Sequence, residues 1–432
     1  MENVRAQEGW LDRVELRGLI ESSTAIETAD GGLQKWDLTF KPEVQVRLAG
    51  DLRLTALGRI RFDPVDNLEP GQPDRQSAFR SALTRRRFIG DAADLELREF
   101  YLDANIGESF VRLGKQQIVW GQADGLRVLD IVNPFDFREF ILPEFEDRRI
   151  PLWTANAEIP VGEWTVQLIW IPDHSYDDVP DPGATFAFSS PLVVPRPGPA
   201  TIGAGPVVVD APHRPGRFIR DDDYGTRLTA FIGGWDLSLD YLYHYQDQAV
   251  PFQRRIPGGG IVIKPEYRRT HLIGGTFSNA FGDVTLRGEA GYATDRYFLA
   301  RDPDDDDGVI KSGEIGSVLG LDYQVDADLR ISGQSFQSLL TDRWPGTVRD
   351  RLESRATLLI EKEFLNDRLT ASLLAIHSLN GGDGLVQADL EYEYRSDVTF
   401  KLGLDIFYGD RDGLFGEFDG ADRVTFGVEV GF

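Results

Sequence analysis

From Gln34 to Phe62 the chain alternates apolar and polar residues with few breaks, and this constrains its fold more than any other feature. Trp36, Leu38, Phe40, Val44, Val46 and Leu48 share one parity, interrupted by Pro42, while Lys41, Glu43, Gln45 and Arg47 share the other. After Ala49-Gly50-Asp51 the rhythm resumes, with Leu52, Leu54, Ala56, Gly58, Ile60 and Phe62 opposite Arg53, Thr55, Arg59 and Arg61. Period-two alternation gives a strand one apolar and one polar face. Runs of ten or more residues exceed the ~5–6 of globular strands and match the ~9–11 that cross a bilayer at a tilt.

The unit recurs to the end of the chain in "EWTVQLIWIPD", "WDLSLDYLYHYQD", "VTLRGEAGY", "RLTASLLAIH", "LVQADLEYEY", "VTFKLGLDIF" and "ADRVTFGVEVGF". Tight turns at Gly50-Asp51, Gly107-Glu108, Gly162-Glu163, Gly233-Gly234, Gly282-Asp283, Asp326-Ala327, Asn366-Asp367 and Ser396-Asp397 alternate with longer loops. Short turns at one rim and long loops at the other describe an outer-membrane barrel. Trp36, Trp120, Trp153, Trp164, Trp235, Tyr292 and Tyr394, near strand ends, suit interfacial girdles. The pattern predicts an all-β, transmembrane, antiparallel up-and-down barrel of about eighteen strands, with sixteen as the fallback. The least regular stretches are 95–106, where the apolar parity slips between Leu97 and Phe100, and 152–160. A soluble sandwich would bury one face equally well but would not need every second connection to be tight.

Residues 1–12 are expected to be a periplasmic segment and 13–432 a single barrel. "MENVRAQEGW" has no apolar core or cleavage site, so an exported chain is expected to be in its mature form. The last strand, ending in Phe432, is expected to close against the first and to be read by the barrel-assembly machinery. No run of eighteen apolar residues occurs, which excludes a spanning helix and not a barrel. A net charge of −25 excludes a nucleic-acid partner, leaving lipid as the expected surroundings of the apolar face. The absence of cysteine removes thiolate chemistry. No H-E-x-x-H, G-x-S-x-G or phosphate-cradling loop occurs, and His377-Ser378 lacks a third orienting group, so neither an enzyme nor a cofactor is expected.

If the apolar parity faces lipid, the polar parity lines a lumen. Arg47, Arg53, Arg59, Arg61 and Arg112, with Glu43, are the expected pore-lining set, a basic strip favouring anions. Pairing of such charges into wall-bracing ladders is the competing outcome. The segment 121–151 is too apolar to be a solvated loop and is expected to fold into the barrel mouth as a constriction, with a short helix at "DFREFIL". Its candidate residues are Asp124, Asp130, Asn133, Phe135, Arg138, Phe140 and Arg148. An outer lid is the alternative. The long loop 173–222, Pro- and Gly-rich yet apolar, is expected outside the cell over the mouth, offering Phe186, Phe188, Leu192 and Val193 to a greasy solute. "DPDDDDGVIKSGE" fails as a calcium loop, because Pro303 stands where the first Asp belongs. Asp304, Asp305, Asp306 and Asp307 remain as a loose divalent site or a solvated tip.

"LGKQQIVWGQADGLRVLDIVNPFDFREF" (113–140) resembles a little-characterised proteobacterial family of porin-like outer-membrane barrels, filed as a domain of unknown function and often encoded beside RND-superfamily exporters. Trp120, Gly121, Asp124, Gly125, Leu126, Val128, Asp130, Asn133 and Pro134 carry the resemblance. It implies a pore-like barrel with an inserted loop, and a periplasmic or exporter partner. The expected role is an outer-membrane channel for small or elongated solutes, anion-preferring and narrowed by 121–151. The alternative is a barrel that captures hydrophobic molecules and exchanges them with an RND-type exporter system.

Overall fold

The computed structural model describes residues 13–71, 76–198, 202, 205–302, 304–342 and 345–432; the expected periplasmic segment 1–12 lies outside them. Eighteen antiparallel strands form the wall. The first nine are Val14–Glu27, Leu33–Ala49, Leu52–Phe62, Ala93–Ile106, Ser109–Gln116, Leu152–Val161, Trp164–Ile171, Asp223–Ile232 and Trp235–Tyr245. The second nine are Arg269–Phe281, Val284–Leu299, Val309–Gln324, Leu329–Leu340, Leu352–Phe364, Leu369–Ser378, Gly384–Arg395, Val398–Tyr408 and Arg423–Gly431. Each pairs with its neighbours in sequence, and the last closes on the first from Leu19↔Gly431 to Glu27↔Arg423. Closure removes both sheet edges, the condition for a sheet to stand in lipid. All eight expected turns fall at one rim, and sixteen strands is excluded.

Leu38, Ile60, Leu113, Leu239, Ile273, Leu319, Leu358 and Leu402 are exposed on the outer face. An apolar band this extensive has no place on a soluble surface. Trp36, Trp164, Tyr292 and Tyr394 stand exposed with it, as the girdle reading expects. Trp120 does not: it is fully buried and its indole donates to Gln167 at 2.8 Å. The parity slip in the fourth strand is a β-bulge. Leu57 pairs with Glu99 and Gly58 with Leu97, leaving Arg98 as the extra residue. Leu97 and Phe100 therefore both face outward although they stand an odd number of residues apart.

Alternation in the sequence places the fifth strand at 109–120, the tenth at 264–279 and the twelfth at 315–324; the twelfth starts earlier, at Val309, and the other two differ for definite reasons. The fifth strand ends at Gln116 and not at 120, because the chain turns inward there. Asn133 completes the interrupted ladder: its Oδ1 accepts from the Ile118 amide at 2.7 Å, and its Nδ2 donates to Ile150 O at 2.9 Å. The tenth strand begins at Arg269, since Ile261–Glu266 belongs to a loop hairpin with Val250–Arg255. The apolar core lies inside the barrel at the long-loop end. One cluster gathers Leu68, Phe140, Phe186, Phe407, Phe415 and Phe418, and a second gathers Trp120, Leu129, Val132, Ile169 and Leu272.

Gly114, in the fifth strand, has φ +133°, and a Cβ there would stand 2.1 Å from Phe100 O and 2.7 Å from Tyr101 Cα. Both atoms are backbone and cannot swing aside. Gly114→Ala is expected to destabilise the barrel by about 2 kcal/mol or more, read as a lower urea midpoint for loss of the heat-modifiable folded band.

Candidate functional site

The segment 117–151 leaves the wall at Gln117, crosses the lumen and returns at Ile150. Its far end is pinned on the opposite wall. Arg287 holds Asp124 and also Asp322, the latter at 2.8 Å, while Gln334 donates to Asp124 at 2.8 Å. Glu289 accepts the amides of Gln122 at 2.9 Å and Leu129 at 3.2 Å. The alternative of an outer lid is therefore excluded. The expected helix at "DFREFIL" is a turn instead, because Phe140 adopts φ +53°, which no right-handed helix accepts. A single helical turn follows at Phe145–Arg148.

Phe140 keeps that conformation because its ring sits in a socket, 4.8 Å from Phe418, 5.8 Å from Phe415 and 6.1 Å from Phe407. Its neighbours are held by charge. Glu139 accepts from Lys35 at 2.9 Å, Arg423 at 2.8 Å and Arg138 at 3.1 Å; Arg138 also pairs with Asp37, and Arg423 with Asp405. Asp136 reaches a second group. Arg80 meets Asp136 at 3.0 Å, Glu96 at 2.9 Å and Asp178 at 2.7 Å. Arg59 pairs with Glu96 at 2.6 Å, Arg61 with Asp94 at 2.5 Å, and Arg86 with Glu69. The two groups join where the Arg138 amide donates to Asp136 at 3.0 Å.

Below this roof lies a cavity of about 570 Å³. Twelve acidic and nine basic residues line it. Around its lower part stand Glu21, Asp389, Glu391, Glu429 and Glu361, with Lys41, Lys401 and Arg330 among them. Lys401 is shared between Glu429 at 3.0 Å and Glu391 at 3.6 Å, and Lys41 is held by Asp147 at 2.5 Å.

The expected residues fall unevenly around this cavity. Of the expected pore-lining set only Arg59 and Arg61 line it, and both are ion-paired. Arg112 is clamped by Asp103 at 2.6 Å, Arg53 stands opposite Asp103 in register, and Glu43 accepts from Gln45 at 2.6 Å. Arg47 pairs across the ladder with Arg53 near the short-turn rim. Arg59, Arg61 and Arg112 are thus paired into the wall, the competing outcome. In the roof, Asp124, Arg138 and Arg148 face the cavity. Asp130 instead pairs with Arg149 at 2.7 Å, Phe135 packs edge-on to Phe145, and Asn133 serves the ladder. Phe186 is fully buried in the Phe140 socket, with Phe188 at its side. Asp305 caps the amides of Asp307 and Gly308, and no cluster able to hold a metal occurs among the described residues.

Arg80, Arg86 and Asp178 were not foreseeable: they come from two loops, and nothing in their spacing marks them. Lys35, Glu139 and Asp405 had one available signal, the polar parity of their strands or the apolar segment around them.

Closed at eighteen strands, filled at one end by its own loops and holding a charge-lined cavity beneath them, this is a porin-like barrel. The chain belongs to the family described as "Protein of unknown function (DUF1302)", whose model matches residues 64–312. Among solved structures it is similar to OccK1 (OpdK) of Pseudomonas aeruginosa, with 12% identity and a TM-score of 0.52 over 98% of this chain and 100% of that one. OccAB2 of Acinetobacter baumannii gives 10% identity and a TM-score of 0.52, over 98% and 99%. OccK5 (OpdH) of P. aeruginosa gives 11% and 0.51, over 98% and 99%. Identity this low shows a shared fold. No protein of curated function matches the chain.

Burial would raise the Glu139 carboxyl, but Lys35, Arg423 and Arg138 prevail and hold it well below its ordinary value; Arg86, Arg80 and Arg138 do the same for Asp136. A depressed carboxylate contributes its stability above its unfolded pKa near 4 and loses it as pH falls toward the folded value. The roof should stay docked from pH 8 to 5 and loosen only below about pH 4, read as proteolytic cleavage within 136–148. Glu139→Ala, which strands three cations, should loosen it at neutral pH at a cost of about 3–5 kcal/mol.

Proposed function

We propose that the protein is a bacterial outer-membrane channel through which small polar solutes diffuse, with the roof 136–148 setting the size limit. The cavity carries this reading: a polar, charged space inside a closed barrel whose outer face is apolar. The C-terminal strand ending in Phe432 is the proposed address for assembly. Capture of hydrophobic solutes by the loops is not favoured, because Phe186 and Phe188 are spent on the socket around Phe140.

The charge preference we propose is for cations, in place of the anion preference that a free arginine strip would produce. Arg59 and Arg61 face buried carboxylates, and the cavity carries an acidic surplus around Asp389, Glu391 and Glu429. In a narrow aqueous passage such a surplus raises the local concentration of counter-ions.

Planar-bilayer recordings under a salt gradient test both parts. Stable current steps with a reversal potential on the cation side are expected. Asp389→Asn with Glu391→Gln and Glu429→Gln should move that potential toward the anion side, and Glu139→Ala should raise conductance. A silent bilayer from folded protein sinks the channel reading; a reversal potential on the anion side sinks the cation preference.

A further inference from the structure

Arg148 is the cation that escapes the pairing governing the roof. It is 5% exposed and lines the cavity, yet no carboxylate lies within ion-pair range of it among the described residues. Its Nε donates to Pro143 O at 2.7 Å, and its guanidinium stands over the rings of Phe145 at 4.7 Å and Phe135 at 5.3 Å. Its two terminal amino groups have no acceptor among the described residues. The adjacent Arg149 shows the ordinary solution, a two-pronged pair with Asp130 at 2.7 and 2.9 Å. Burial, with Arg127 and Arg149 close by, pushes Arg148 down to about 9. A cation this buried, whose outer donors open only on the cavity, has water alone to answer it there, and an anionic ligand group would answer it better.

The cavity offers the opposite lack a short way off. Glu144, one turn before Arg148, lies within electrostatic range of both Arg148 and the wall residue Asp389. Neither Glu144 nor Asp389 has a cation within ion-pair range among the described residues, and both line the same space. A simple anion reaching Arg148 would meet an acidic surplus of twelve against nine. A simple cation at Asp389 would leave Arg148 as it stands. A molecule bearing both charges satisfies the two ends and adds no net charge. The volume, about 570 Å³, falls in the range of small-ligand sites.

We propose that the cavity is a binding site for small zwitterionic solutes, Arg148 taking the carboxylate and Glu144 with Asp389 taking the ammonium group. The proposal deepens the channel reading, because it places the site in the lumen. Cation–π packing on Phe135 and Phe145 orients the guanidinium but supplies no acceptor for its outer donors, so packing alone does not explain its placement.

Titration calorimetry on the detergent-purified full chain tests this with three probes of equal length: 5-aminopentanoate, pentanoate and pentylamine. The zwitterion should bind about ten-fold tighter than either relative. Arg148→Gln should abolish its advantage over pentylamine, with Arg148→Lys retaining part of it. Asp389→Asn with Glu144→Gln should abolish its advantage over pentanoate. Each variant is first shown to keep the heat-modifiable folded band. Equal binding of pentanoate, equal binding of pentylamine, or no binding of any probe overturns the proposal. Binding does not require an open lumen, so a silent bilayer with zwitterion-selective heats would remove the channel and leave the site. Current steps without selective heats would do the reverse.

Discussion

Two ion groups beneath the long loops, sixteen charges between them, sit largely out of water inside this barrel, and their neutrality dictates how its loops fold. Lys35, Arg138 and Arg423 face Asp37, Glu139 and Asp405; Arg59, Arg61, Arg80, Arg86 and Arg98 face Glu69, Asp94, Glu96, Asp136 and Asp178. Each group balances by itself. Ions taken from water must recover the loss through near-contact geometry and matched count, and a missing partner costs several kcal/mol. The partners come from wall strands and from three separate loops, so no loop can leave without stranding charge contributed by another. Hydrophobic packing alone would allow the roof many positions; the ionic contacts select one.

Much of the wall was legible from residue type alone. Alternation is a local property, and a barrel strand shows it because lipid lies on one side and water on the other. All eight tight turns, the count of eighteen and the closing of the last strand on the first follow from it. Errors came where a tertiary event overrode the period. The fifth strand stops early because Asn133, seventeen positions along the chain from Gln116, completes its ladder. The tenth starts late because a loop hairpin borrows strand-like residues. Phe140 breaks a helical pattern because four surrounding phenylalanines stabilise a backbone conformation that propensity would forbid.

The site was harder to read than the wall. Parity tells which residues face the lumen and does not tell which of them are already answered. Arg59 and Arg61 look free beside Arg47 and Arg53 in sequence, yet their partners Glu96 and Asp94 lie on the next strand over. Arg148 looks like one basic residue among several in "EDRRIP", and only the folded chain separates it from the paired Arg149. Charge in such a lumen is a residue left after subtraction, and subtraction needs coordinates.

The bulge at Arg98 carries a further consequence. Glu96 and Arg98 point inward before it, and Glu99 and Tyr101 after it, so Arg98 is surplus to the pairing between the third and fourth strands. Its guanidinium reaches across to Glu146 O at 2.8 Å and Arg149 O at 3.0 Å, gripping the end of the roof segment. Excising the whole residue would restore strict alternation from Leu95 to Leu102, whereas replacing it would leave the kink without its purpose. The wall has in effect grown a finger from a position its own ladder does not use, and a shortened gene could discard that finger while keeping the cylinder sound.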